Sequence, residues 1–182
     1  QRFPELVKEI AARGHEIGNH STSHPQMSKL SAEKIAQELK TMSDEAEALT
    51  GARPRLFRPP YGDYNNQVVL TARAEGYEVI QWSVVAETPQ DNAVHGMGAR
   101  VAGQVRPGAI ILFHANRVPK GSAFMLKETV GELQRKGYRF VTVGELLKLG
   151  EPQRTRDGYF NKPGDNLSLD THFGIDGTGR RK

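Results

Sequence analysis

The chain has 182 residues, no cysteine and a formal net charge of +4, with 37% apolar and 25% charged residues. That composition suits one globular domain with room for a sizeable core. It excludes disulfide scaffolds and thiolate metal sites, leaving His, Asp and Glu as ligands. No basic stripe with interleaved aromatics marks a nucleic-acid partner, and no apolar run approaches the roughly 20 residues of a membrane span.

The opening "QRFPELVKEIAARG" reads as helix, with Pro4 in its first turn, Leu6, Val7, Ile10 and Ala11 on one face, and Gly14 as its stop. A chain that opens inside a helix, without an initiator Met or signal segment, is expected to be a fragment. "HEIGNH" follows as a short strand leading into "HSTSHP", residues 20 to 25. Ser31 then caps a helix that runs to Gly51 and places Ile35, Leu39, Met42, Ala46 and Leu49 on one face. A short "RLF" strand precedes "RPPYGDYN", residues 58 to 65, and a helix over about residues 66 to 75 ends at Gly76.

"YEVIQWS" predicts a strand ending at Trp82, and residues 92 to 105 a helix weakened by Gly96, Gly98 and Gly103. "AIILFH" predicts a buried strand from which His114 emerges. A helix over about 123 to 136 with Leu126, Val130 and Leu133 inward leads to a last apolar run, "YRFVTV". Thr142 and Glu145 have the spacing of a capping box for a helix reaching Leu149. Residues 1 to 150 are thus expected to form one domain. Residues 151 to 182 are expected to be a Gly-rich tail packed only near Tyr159 and Phe160, with His172 an exposed loop histidine.

Alternating strands and helices imply an α/β fold with a parallel sheet. The residues able to do chemistry follow strand C-terminal ends, where α/β sheets and barrels build their sites. His20 and His24 are spaced so that both imidazoles can reach one cation, with Ser21, Thr22 and Ser23 available to orient them. Consecutive prolines at 59 and 60 stiffen the segment that carries Arg58 and Tyr61. His114 is placed to act as an acid or base near neutral pH. Taken singly, these features also admit a solvated loop, a proline turn with a surface arginine, and a satisfied core histidine.

Taken in order, "GHEIGNHSTSH", "RPPYG" and "LFH" resemble the polysaccharide deacetylase family, the NodB-homology or carbohydrate esterase family 4 domain, over residues 1 to about 150. The resemblance implies an irregular (β/α) barrel of the NodB type, lacking its first strand or strands in this chain. His20 and His24 would ligate a divalent metal, zinc foremost, with cobalt, nickel or manganese as alternatives. Arg58 would orient a catalytic carboxylate, the Tyr61 N–H would receive the oxyanion, and His114 would protonate the leaving amine. Leu112, Pro60 and Trp82 would line the substrate pocket. The implied activity is removal of N-acetyl groups from an amino-sugar polymer such as peptidoglycan or a chitin-like glycan, at the cell envelope.

Two departures stand out. The family's Thr-Phe-Asp-Asp-Gly stretch, which supplies the third ligand and the base, is absent and is expected upstream. Its Asp-x-x-Asp-Trp stretch is replaced by Val85, Thr88 and Pro89, with Asp91 as the nearest substitute. These departures leave two other outcomes open: a cyclic amide or imide hydrolase of the same fold, and a non-catalytic glycan-binding module with a decayed site.

Overall fold

The computed structural model describes residues 3–86, 96–114 and 121–151. The described chain divides into two compact units, one ending at Gln81 and the other beginning at Trp82. Asp91, Thr88 and Pro89, and the tail with Tyr159, Phe160 and His172, lie outside the described residues.

The first unit opens with α1 (Pro4–Ala12), with proline in its first turn and no buried residue. On the apolar face Val7 and Ala11 are half-buried, whereas Leu6 is 54% and Ile10 45% exposed. Amphipathic spacing identified the helix but did not show whether its apolar face is covered.

Helix α2 (Ala32–Thr50) starts where Ser31 accepts a hydrogen bond from the Lys34 N–H and ends at Gly51 in the left-handed conformation. It buries Ile35, Leu39, Ser43 and Ala46, so the polar Ser43 occupies part of the stripe while Met42 and Leu49 are only half-buried. Helix α3 (Asn66–Ala74) is capped by the Asn65 side chain, which accepts from the Val68 N–H.

β1 (Leu56–Phe57), which precedes α3, and β2 (Glu78–Val79), which follows it, pair in parallel, with Asn19 forming a parallel bridge to Phe57. The strand expected over "HEIGNH" therefore contracts to a single bridging residue, and the sheet takes the order Asn19, β1, β2. Met27, Ile35, Leu39, Phe57, Val68, Ala72 and Tyr77 form the core of this unit.

In the second unit β3 (Val84–Val85) pairs in parallel with β4 (Ile111–Leu112). Helices α4 (Met97–Gln104) and α5 (Ser122–Arg135) pack against each other, and Val84, Ala86, Val101, Ala102, Val105, Met125 and Leu133 form the core. Met125, Thr129 and Leu133 are the buried residues of α5, whereas Leu126 is 44% exposed. Leu133 is inward as expected, while Met125 and Thr129 take the buried places expected of Leu126 and Val130, the latter being half-buried.

Helix α6 (Val143–Leu149) carries both reciprocal bonds of its capping box. The run "YRFVTV" before it forms no strand. A short β-branched run can lie against a helix without finding a ladder partner, and periodicity alone does not separate the two cases.

Candidate metal-binding loop and its supports

The loop from Asn19 to His24 begins at a fully buried anchor. The Asn19 N–H donates to the Leu56 carbonyl and the Arg58 N–H donates to the Asn19 carbonyl, at 2.7 and 2.9 Å, continuing the parallel ladder. The Asn19 side-chain amide donates to the Leu39 carbonyl and to Ser43 Oγ, both at 2.8 Å, and Tyr77 Oη–H donates to the same Ser43 oxygen at 2.6 Å. A buried amide whose bonds are satisfied fixes a single geometry, because any shift would strand polar groups without water. Asn19 Oδ1 in turn accepts from the Ser21 N–H at 2.8 Å.

Beyond Asn19 the backbone turns sharply. Ser21 (φ 64°), His24 (φ 59°) and Tyr61 (φ 59°) are the three non-glycine residues with left-handed backbone among the described residues, and all lie in the two candidate segments. Such conformations cost about 1–3 kcal/mol each and persist only where the surroundings over-determine them.

For the histidine loop the surroundings are clear. Ser21 Oγ accepts from the His24 N–H at 3.0 Å. The Glu38 carboxylate, on α2, accepts from the N–H groups of Thr22 and Ser23 at 2.9 and 2.8 Å and from Ser23 Oγ–H at 2.7 Å. Burial pushes the Glu38 carboxyl up, but the backbone and hydroxyl donors of Ser23 and the Thr22 N–H outweigh it and hold it below its ordinary value.

This loop brings His20 and His24 together with ring centroids 5.0 Å apart, and the Tyr61 ring meets His24 edge-on at 4.6 Å. His20 Nδ1 lies within hydrogen-bond distance of the Arg58 carbonyl oxygen. A carbonyl can only accept, so Nδ1 carries a proton, and in the neutral ring Nε2 keeps the lone pair. That is the tautomer in which an imidazole ligates a metal through Nε2, with the backbone oxygen as its outer support.

The proline corner is held just as firmly. The N–H groups of Gly62 and Asp63 donate to the carbonyls of Pro59 and Pro60, and the Gln81 side chain donates to the Gly62 carbonyl. Pro60 is buried and Tyr61 is 61% exposed. Asp63 Oδ2 accepts from both the N–H and the hydroxyl of Ser28, at 3.0 and 2.9 Å, while the Asn65 amide donates to the Ser28 carbonyl. The segment after His24 is thus tied to the segment after Tyr61. Arg58 is half-buried, and loss of hydration lowers the pKa of its guanidinium, which nevertheless stays charged.

His20, His24, Arg58, Pro60 and Tyr61 therefore come together in the first unit. Trp82, Leu112 and His114 belong to the second, where Trp82 and Leu112 are buried and His114, half-buried, follows β4. Two imidazoles in one loop, one with its tautomer set, fit part of a divalent-metal site. No cluster of three His, Cys, Asp or Glu residues is found among the described residues. Asn19, Glu38, Asp63 and Asn65 carry the geometry yet were not singled out by motif reading. Only Asn65, a good cap just before an apolar helix, had a local signal.

Comparison with known proteins places this chain in a family. Residues 1–80 match the polysaccharide deacetylase family model. A peptidoglycan-N-acetylglucosamine deacetylase of Bacillus cereus is 37% identical over 152 residues, covering 81% of this chain and 70% of that protein. The crystal structure of the Bc1960 peptidoglycan N-acetylglucosamine deacetylase superposes with a TM-score of 0.76 at 30% identity, over 84% of this chain and 72% of that one. A Bacillus anthracis protein described as a family 4 carbohydrate esterase pseudoenzyme gives a TM-score of 0.68 at 29% identity, over 80% and 50% of the two chains. The chain belongs to the polysaccharide deacetylase family. It spans 55%, 44% and 57% of the length of three other curated relatives, about half.

Proposed function

We propose that this chain carries the metal-binding part of a hydrolase that removes N-acetyl groups from peptidoglycan amino sugars at the cell envelope, on an irregular (β/α) barrel. The observation that carries this reading is the His20–His24 pair, with the His20 tautomer set by the Arg58 carbonyl. Zinc is the favoured cation, and a third, carboxylate ligand from outside the described residues is part of the proposal. A divalent cation there supplies Lewis-acid polarisation of an amide carbonyl.

The chain's own residues supply the rest. The stiff Pro59–Pro60 corner holds the Tyr61 backbone N–H as a preorganised donor to a developing oxyanion. His114 is the proposed acid for the departing amine, which cannot leave as an anion. Arg58, charged at all working pH, orients a carboxylate, and Pro60, Leu112 and Trp82 are proposed as substrate-binding residues. These roles rest on family membership.

The test is metal content and acetate release from N-acetylated peptidoglycan by the complete protein. His20→Ala is expected to lower zinc affinity at least tenfold. His114→Ala should keep the metal and lose about 10²–10⁴ in kcat. Metal content unchanged in His20→Ala would overturn the assignment. The second reading, a non-catalytic module with a decayed site, is favoured by the resemblance to the pseudoenzyme. Glycan binding without acetate release, in a complete protein that binds zinc or not, would select it.

A further inference from the structure

Glu38 lies on α2, fourteen residues beyond the second histidine, and nothing in its sequence setting separates it from a solvent-facing helix glutamate. Its position relative to the loop is nevertheless specific. One oxygen, Oε2, accepts from two consecutive backbone N–H groups, those of Thr22 and Ser23, while Oε1 accepts from Ser23 Oγ–H. The Glu38 backbone carbonyl accepts from Thr22 Oγ1–H at 2.9 Å. The same residue therefore grips the loop through both its side chain and its main chain. These bonds fall on the two residues midway between the histidines, and the left-handed residues Ser21 and His24 flank them.

We infer that Glu38 is a positioning residue for the proposed metal site, clasping the Thr22–Ser23 peptide so that His20 and His24 are presented on one side of the loop. This inference rests on the metal-binding reading of the two histidines. Asn19 anchors one end of the loop in the core, and the Ser28–Asp63 contact ties down the chain beyond the other. Neither reaches the middle. Without Glu38, two adjacent N–H groups lose their acceptor and the left-handed turn at His24 loses the support that offsets its strain. The His24 imidazole then samples directions that do not converge with His20. Support of this outer kind is generally worth 10–100-fold in metal affinity.

The experiment uses the full chain, Zn²⁺ alone as the probe, and four variants: Glu38→Ala, Glu38→Gln, His20→Ala, and Glu45→Ala as a control on the exposed face of the same helix. Two quantities are read: the zinc dissociation constant and the hydrogen-exchange rates of the Thr22 and Ser23 amides. Glu38→Ala is expected to weaken zinc binding 10–100-fold and to accelerate exchange at both amides. Glu38→Gln, whose amide oxygen keeps one acceptor in place, should fall between Glu38→Ala and the wild type, and Glu45→Ala should match the wild type.

Wild-type zinc affinity in Glu38→Ala, with His20→Ala impaired, would overturn the positioning role and leave the metal site standing. Equal affinities in wild type and His20→Ala would sink the metal reading, and with it this role for Glu38. Faster exchange at Thr22 and Ser23 would then leave Glu38 as a loop clasp without a metal function. Should Glu38→Ala fail to fold, Glu38→Gln carries the test, and wild-type values for it in both readouts would count against the clasp.

Discussion

At the scale of single residues, the candidate site is a set of short-range obligations around two imidazoles. Asn19 shows the principle most sharply, because it is almost fully buried and satisfies the Leu39 carbonyl, Ser43 Oγ and the Ser21 N–H at once. Asn19→Ala removes the acceptor of the Ser21 N–H and one donor each to the Leu39 carbonyl and Ser43 Oγ, leaving Ser43 with its bond from Tyr77. It should cost about 1–3 kcal/mol, read as a lowered denaturation midpoint with an unchanged m-value. The histidines were legible in the sequence because their residue type and spacing form a short local motif. Their supports were not, since Glu38 reaches the loop, and Asp63 the segment after it, from elsewhere in the chain, and acceptor geometry leaves no local pattern. Tyr61 was singled out for its backbone, and the left-handed φ there is consistent with a corner built for its main chain. The contact of its ring with His24 had no signal in the sequence.

At the scale of elements, capping and stop signals located helices better than burial patterns oriented them. Ser31, Asn65 and Thr142 all cap as their side-chain chemistry requires, whereas the faces of α1 and α5 depended on neighbours that no local window contains. The α4–α5 contact gives a sharp prediction. A Cβ on Gly98 would lie 2.3 Å from Glu128 Cβ and 2.7 Å from the Thr129 nitrogen, so Gly98→Ala must push the helices apart. A loss of about 1–3 kcal/mol is expected. Gly103, in the same helix with nothing within 4 Å of its would-be Cβ, should behave oppositely, Gly103→Ala stabilising by roughly 0.5–1 kcal/mol. Thermal unfolding of the two variants checks both signs.

At the C-terminal end of α2, Asp44 bonds Lys40 and Arg53, and these hydrogen bonds hold its carboxyl below the ordinary 3.8. A depressed carboxyl pKa means that the folded state binds the proton less tightly than the unfolded one. The contribution is therefore present above pH 3.8 and disappears as pH falls through the lower folded value. The midpoint difference between wild type and Asp44→Asn should be visible at pH 7, shrink in high salt, and vanish at acid pH.

At the scale of the whole molecule, the parallel order of the strands was readable but their extent was not. Each named strand is two residues long, so inter-strand ladders contribute few of the protected amides. Slow exchange is expected in the middle of α2, around Ile35 to Ala46, and in α5 around Met125 to Leu133, where the buried residues lie. Mass-spectrometric exchange that found β1–β4 slowest would contradict this. Family membership could be read from three ordered motifs, because each reports a chemical demand rather than a packing preference. The placement of His20 and His24 beside Tyr61 within the first unit needed the fold.

The tie between Ser28 and the pair Asp63 and Asn65 bears on protein engineering. Two stretches more than thirty positions apart behave as one mechanical part, so neither is a portable cassette. Grafting "HSTSH" alone onto a foreign scaffold would transfer the imidazoles without their frame. A working transplant would have to bring the proline corner and the α2 carboxylate along with it.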